Sequence, residues 1–211
     1  MTLIAFDLGG TLTNTRLMYI ECALNKTLKY FNLPQQSLKQ LKTMNAYDPE
    51  ILLQQIVQTN QIDNFQSILQ YYEQALLSEQ QNVSVFKGIP ELLKLLKMKG
   101  IKLAITSNRL KDQVLQFVIN QNIQVDTVIG VCDDTRPKPD TCMIDQLREL
   151  YPQHKIIIVG DTDIDYQTAI NAKIEYIIVS YGYCTVEELN SYGITNPVGS
   201  VEELTQILLN Q

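Results

Sequence analysis

The first chemical signal lies near the start, in Asp7-Leu8-Gly9-Gly10-Thr11-Leu12-Thr13. Asp7 directly follows the apolar run Leu3-Ile4-Ala5-Phe6, so it is expected at the end of a buried strand, where the glycines turn the chain. Three more polar groups come after apolar runs: Thr106-Ser107-Asn108, Lys138 within Arg136-Pro137-Lys138-Pro139-Asp140, and Gly160-Asp161-Thr162-Asp163-Ile164-Asp165. Together they offer a candidate nucleophile, hydroxyl donors, a lysine and several carboxylates. That set suits phosphoryl transfer. A carboxylate attacks phosphorus and carries the group as an aspartyl-phosphate. Lysine and hydroxyl groups hold the charged oxygens. Clustered carboxylates repel one another unless a hard cation lies among them, and oxygen donors beside phosphate select Mg²⁺. Each cluster alone also suits a plainer role, as a turn, a rigid proline loop or a helix cap. Their recurrence at strand ends favours chemistry.

The elements that carry these residues decide whether they meet. Past residue 83, strand and helix alternate. Strands are predicted at 101–105, 125–131, 155–159 and 175–180, and helices at 90–99, 111–120, 141–150, 166–172, 186–192 and 201–210. Alternation of this kind predicts an α/β fold, a parallel sheet flanked by helices in a Rossmann-like core. Open sheets of this class bind ligands outside the carboxyl ends of their strands. Between the first turn and residue 83 the pattern is different. Glycine is absent from 14–81, and apolar residues recur at helical spacing: 16–31, closed by Asn32-Leu33-Pro34, then 38–44, 49–57 and 62–77. The expected organisation is a core of 1–14 and 84–211 with a helical cap inserted at 15–83.

Composition narrows the function further. The chain has 211 residues, 45% hydrophobic and 19% charged, with a net charge of −6. Such a balance argues against nonspecific nucleic-acid binding. The start has no basic region, and no apolar run approaches the roughly 18 residues of a membrane span, so neither a secretory leader nor a membrane segment is expected. Cys22, Cys132, Cys142 and Cys184 are scattered without a C-x-x-C pair. Reduced, buried thiols in a cytoplasmic protein are the expectation. His154, the only histidine, is expected in a surface turn.

With these motifs in place, the chain resembles the haloacid dehalogenase-like hydrolase superfamily over nearly its whole length. Asp7 to Thr11 matches the family's D-x-D-G-T except at the third position, and Thr106 matches its Ser/Thr after a strand. Lys138-Pro139 matches its lysine motif, and Gly160 to Asp165 matches G-D-x-x-x-D in full. The resemblance implies a phosphatase of the phosphoglycolate phosphatase-like kind, acting on a small phosphorylated metabolite. It implies Asp7 as nucleophile, with Thr106 and Lys138 as its catalytic partners. Mg²⁺ would be held by Asp7, the Gly9 carbonyl, Asp161 and Asp165. Phosphate would be bound by Leu8, Gly9, Thr106, Ser107, Asn108 and Lys138. The cap would read the rest of the substrate, with Arg16, Lys26, Lys29, Lys39 and Lys42 as its cations.

The departure is Gly9. Phosphatases of the superfamily carry there an aspartate that protonates the leaving alcohol and later activates water. Such a group is worth roughly 10²–10⁴-fold in rate. Three consequences are open: a phosphatase that is slow or recruits another proton donor, a phosphonatase-type hydrolase using a cap lysine such as Lys39 or Lys42, or a noncatalytic protein that binds a phosphorylated ligand or partner.

Overall fold

The computed structural model describes residues 1–14, 22–36, 49–60, 64–79 and 83–210. Five strands make one sheet: β1 (Thr2–Phe6), β2 (Lys102–Leu110), β3 (Thr127–Val131), β4 (Lys155–Gly160) and β5 (Glu175–Ile178). Their order is β3-β2-β1-β4-β5, and every pair is parallel. Among the described residues the helices are α1 (Asn25–Tyr30), α2 (Pro49–Thr59), α3 (Phe65–Glu79), α4 (Ile89–Met98), α5 (Lys111–Asn120), α6 (Cys142–Leu150), α7 (Asp163–Ala172), α8 (Val186–Ser191) and α9 (Val201–Leu209). This is an α/β fold, a parallel sheet flanked by helices.

The central strands are apolar on both faces because helices cover both. Leu3, Ile4, Ala5 and Phe6 of β1 have no exposed surface, and Ile156 to Val159 of β4 are buried. Alternate residues Leu3, Ala5, Ile156 and Ile158 pack against Met143, Ile144 and Leu147 of α6 and Ala169 and Ala172 of α7. Burying each large apolar side chain contributes roughly 1.5–3 kcal/mol. The strand ends therefore stand on rigid ground.

Topology selects one spot on this sheet. From β1 the chain builds outward through β2 and β3, then returns to lay β4 and β5 on the other side of β1. The winding reverses between β1 and β4, and ligands of such sheets bind in the crevice this leaves. Asp7 follows β1 and Asp161 follows β4, so the two carboxylates flank that point.

Some boundaries differ from the periodicity. The pattern ends the second strand at Ile105, but β2 continues to Leu110 because Thr106 and Ser107 still pair with Ile129 and Gly130 of β3. The ladder then slips before Leu110 meets Val131. Helix α7 starts at Asp163, three residues before its apolar pattern. Asp165 reaches back to the Thr162 N–H at 3.2 Å, which caps the first turn. The helix predicted over 38–44 and the first part of the one over 16–31 lie outside the described residues.

The chain divides into two compact units, Met1–Asn14 with Ser84–Gln211, and Thr15–Val83. The first holds the sheet. The described elements of the second are α1, α2 and α3, with Leu28, Leu53, Ile68 and Tyr72 buried among them. Tyr30 of α1 stacks on Tyr71 of α3 with ring centroids 4.2 Å apart.

Candidate active site

Asp7 is the first residue past β1, and its N–H donates to the Val159 carbonyl of β4 at 2.8 Å. Its Oδ1 accepts from Lys138 Nζ at 2.7 Å. The same ammonium donates to Asp165 Oδ1 at 2.5 Å. Lys138 is thus a buried cation between two carboxylates. Burial pulls its pKa down, but the charges of Asp165 and Asp7 outweigh that and hold it above the ordinary lysine range. The lysine keeps its charge, and it balances the negative charge next to Asp7.

Asn108 holds the lysine in place. Its Nδ2 donates to the Lys138 carbonyl at 2.9 Å, and its Oδ1 accepts from the Lys138 N–H at 2.7 Å. The resemblance implies phosphate binding for Asn108, and in the structure both polar atoms of its amide bond the Lys138 backbone. Ser107 is buried, and its Oγ accepts from the Arg109 N–H at 3.4 Å. Thr106 has no exposed surface, and its hydroxyl has no hydrogen-bond partner among the described residues. Phe6 pairs with Ile105, so Asp7 and Thr106 come next in register on adjacent strands. A buried hydroxyl costs free energy until something bonds to it, and a phosphoryl oxygen held near Asp7 is such a group.

Asp161 is fully buried after β4. Its Oδ1 accepts from the Thr11 hydroxyl at 3.3 Å and its Oδ2 from the Tyr183 N–H at 2.7 Å. Asp165 is engaged on both oxygens: Oδ2 accepts from the N–H groups of Asp161 and Thr162 and from the Thr162 hydroxyl. Helix cap and lysine partner are therefore one side chain here. Ligand oxygens of Asp7, Asp161 and Asp165 all lie within 4.8 Å of one another. Hard, anionic oxygen donors gathered this closely fit Mg²⁺ or Ca²⁺ rather than a soft metal.

The sequence profile of the haloacid dehalogenase-like hydrolase family matches residues 4–179. The chain belongs to that family. Among curated haloacid dehalogenase-like relatives, the phosphoglycolate phosphatase of Aquifex aeolicus is 26% identical over 189 residues, covering 87% of this chain and 86% of its own. A solved structure from Lactobacillus delbrueckii subsp. bulgaricus, a candidate phosphoglycolate phosphatase, superposes with a TM-score of 0.81 at 22% identity, covering 100% of this chain and 99% of its own. A haloacid dehalogenase-like family hydrolase of Streptococcus pneumoniae gives 0.79 at 20% identity, covering 98% of each chain. Within this family the chain is similar to phosphatases.

Other sequence candidates fall in different places. Lys26 donates to Ser78 at 3.0 Å and pairs with Glu79 at 3.6 Å, both within the helical unit. Lys29 is exposed on α1. Arg16, Lys39 and Lys42 lie outside the described residues. Of the cysteines expected to be buried, only Cys184 is; Cys142 is half-buried, and Cys22 and Cys132 are exposed. No disulfide joins them. His154 is half-buried rather than at the surface, its ring edge-on to Tyr151 with centroids 5.4 Å apart. No helix of the described residues is long and apolar enough to cross a membrane.

The loop Tyr181-Gly182-Tyr183 is not among the polar clusters that the sequence motifs pick out. It follows β5, so the strand-end rule that found the other clusters points to it as well. The Tyr181 hydroxyl donates to the Thr11 carbonyl at 3.1 Å. Burial, with the charge of Asp161, holds that phenol above its ordinary pKa, so it stays protonated and donating.

One consequence concerns stability. Lys138→Met leaves two carboxylates facing each other without their buried cation. Removing one partner of a buried pair costs about 3–5 kcal/mol, so the urea midpoint falls clearly. Added Mg²⁺ then stabilises the variant more than wild type, because it restores the missing positive charge. Equal midpoints without Mg²⁺ would mean that the lysine carries no such charge-balancing role.

Proposed function

We propose that this chain is an Mg²⁺-dependent hydrolase of small phosphomonoesters that works through a phosphoaspartate on Asp7. The observation that carries the proposal is the buried, unpartnered Thr106 hydroxyl next in register to an aspartate paired with a buried lysine. Asp7 attacks phosphorus, the ester P–O bond breaks, and the alkoxide departs, taking its proton from solvent water to become the alcohol. Water then cleaves the acyl phosphate, releasing phosphate and regenerating the carboxylate. Lys138 and the Thr106 hydroxyl stabilise the charged phosphoryl oxygens, and the N–H groups of Leu8 and Gly9 add donors. Mg²⁺ would be held by Asp7, Asp161 and the Gly9 carbonyl, with Asp165 beside them. It would screen the phosphoryl charge from the attacking carboxylate.

The proton steps are the weak point of the site. Gly9 supplies neither acid to the leaving alcohol nor base to the water, so turnover of ordinary alkyl esters is slow. The helical unit 15–83 is assigned the role of a cap that selects the organic part of the substrate. The relatives' names make phosphoglycolate the first ester to try. The setting is taken to be cytoplasmic.

Gly9 also favours a second reading, in which the chain binds a phosphorylated ligand without turning it over. The test is purified protein incubated with Mg²⁺ and a panel of phosphate esters, including phosphoglycolate and nitrophenyl phosphate. The expected result is Mg²⁺-dependent release of inorganic phosphate. Tight binding of an ester with no phosphate released would establish the second reading instead.

A further inference from the structure

We propose that the loop Tyr181-Gly182-Tyr183 is the clamp that orients the Asp161 carboxylate for a divalent cation, with Gly182 as its positioning residue. This deepens the metal reading above and rests on it. The chain on either side of these three residues is anchored by other contacts, and Tyr183 itself packs against the apolar cluster of Ile178, Cys184, Leu189 and Ile194. The strand before them is already tied by the Val179 N–H to the Gly160 carbonyl and by the Ser180 N–H to the Val198 carbonyl. Cys184 after them is buried with Leu189 and Ile194. Between these anchors the loop bends back onto the first turn of the chain and onto Asp161.

Its contacts there are specific. The Tyr183 N–H holds Asp161 Oδ2 at 2.7 Å, while Thr11 holds the other oxygen from the opposite segment. Tyr181 fastens the loop to that segment through the Thr11 carbonyl, and its ring lies edge-on to Phe86 at 5.3 Å. Gly182 makes the approach possible. A Cβ there would lie 2.3 Å from the Gly10 carbonyl oxygen, 2.5 Å from Asp161 Oδ2 and 2.6 Å from Asp161 Cβ. Real side chains do not come that close to backbone, so any larger residue must push the loop or the carboxylate away. The neighbouring backbone answers in kind: Gly10 has φ +92°, and a Cβ on it would fall 2.1 Å from the same Asp161 oxygen. The two glycines thus close on one carboxylate, fixing where its oxygens point. Partners of this sort orient a metal ligand, and losing one typically costs 10–100-fold in metal affinity.

The test is Mg²⁺ titration by calorimetry in the absence of substrate, on wild type, Asp161→Asn, Gly182→Ala and Tyr181→Phe, with urea midpoints measured alongside. Binding by wild type that is lost in Asp161→Asn places the cation at this carboxylate. Gly182→Ala is then expected to weaken Mg²⁺ by roughly 10- to 100-fold. Tyr181→Phe, which removes one hydrogen bond and no volume, is expected to weaken it about threefold with a near wild-type midpoint. If Gly182→Ala does not fold, Tyr181→Phe decides. Wild-type Mg²⁺ affinity in Gly182→Ala, or in Tyr181→Phe where that variant decides, overturns the clamp while leaving the metal reading intact. Absence of Mg²⁺ binding in wild type overturns both.

Discussion

Asp7→Asn is expected to lower turnover of every phosphate ester by more than about 10⁴-fold, the scale on which nucleophile removal acts in covalent enzymes. Three losses coincide in that change. An amide is a poor nucleophile, so the phosphoaspartate cannot form. It carries no charge, so the 2.7 Å pair with Lys138 becomes an ordinary hydrogen bond. It also removes an anionic oxygen from the carboxylates that lie within 4.8 Å of one another. The fold should survive, because Lys138 keeps its 2.5 Å partner Asp165 and Asp7 retains about a tenth of its surface exposed. Circular dichroism and kcat/KM for nitrophenyl phosphate check both halves. Near wild-type turnover in a folded Asp7→Asn protein would rule out the covalent route.

The second large effect runs the other way. Gly9→Asp is expected to raise kcat/KM for alkyl phosphates, by at most the roughly 10²–10⁴-fold that a general acid–base supplies. Nitrophenyl phosphate should gain less. Its leaving group is a stable phenolate, whereas an alkoxide needs a proton as it departs. Wild type should accordingly favour the activated ester by a wide margin, and the variant should narrow it. The backbone permits the trial. The left-handed conformation in this turn belongs to Gly10, at φ +92°, and Gly9 is not among the positive-φ residues. Gly9 is also partly exposed. The adjacent Gly10→Ala makes a sharp contrast, since its Cβ would collide with Asp161. Equal treatment of both ester types by wild type would sink the missing-acid account.

The sheet was legible because buried parallel strands read as apolar runs and because each helix between them kept its own period. One rule then located the polar clusters: chemistry sits where those runs end. It led to Asp7, Thr106, Lys138 and Asp161, which come from separate parts of the sequence: Asp7 and Asp161 follow β1 and β4, Thr106 lies within β2 between them and β3, and Lys138 lies in the loop after β3. Carried to the fifth strand, the same rule points to the Tyr181-Gly182-Tyr183 loop. Other features have no signature in sequence. Asn108 reads as one more polar residue near a strand end; only the fold brings it to the Lys138 backbone thirty residues away. Asp165 satisfies two patterns at once, cap and site carboxylate, and sequence weighs these as alternatives. In the structure it caps α7 and pairs with Lys138, and the cap explains why α7 begins before its apolar period does. The extension of β2 past Ile105 depends on pairing with β3, a partner the strand's own residues do not specify.

The central claim is that the phosphoryl group passes through the Asp7 carboxylate. The same glycine that is proposed to slow alkyl esters should make this visible. With an activated ester the first step needs little proton help, while hydrolysis of the acyl phosphate still lacks its base. The phosphoenzyme should therefore accumulate. The decisive measurement is rapid mixing of wild type with nitrophenyl phosphate and Mg²⁺, following nitrophenolate release and quenching samples in acid for mass spectrometry. Passage through Asp7 gives a burst approaching one nitrophenolate per enzyme, with a phosphoryl group on the peptide containing Asp7 and none in Asp7→Asn. Steady turnover without a burst and without phosphate on that peptide would contradict it.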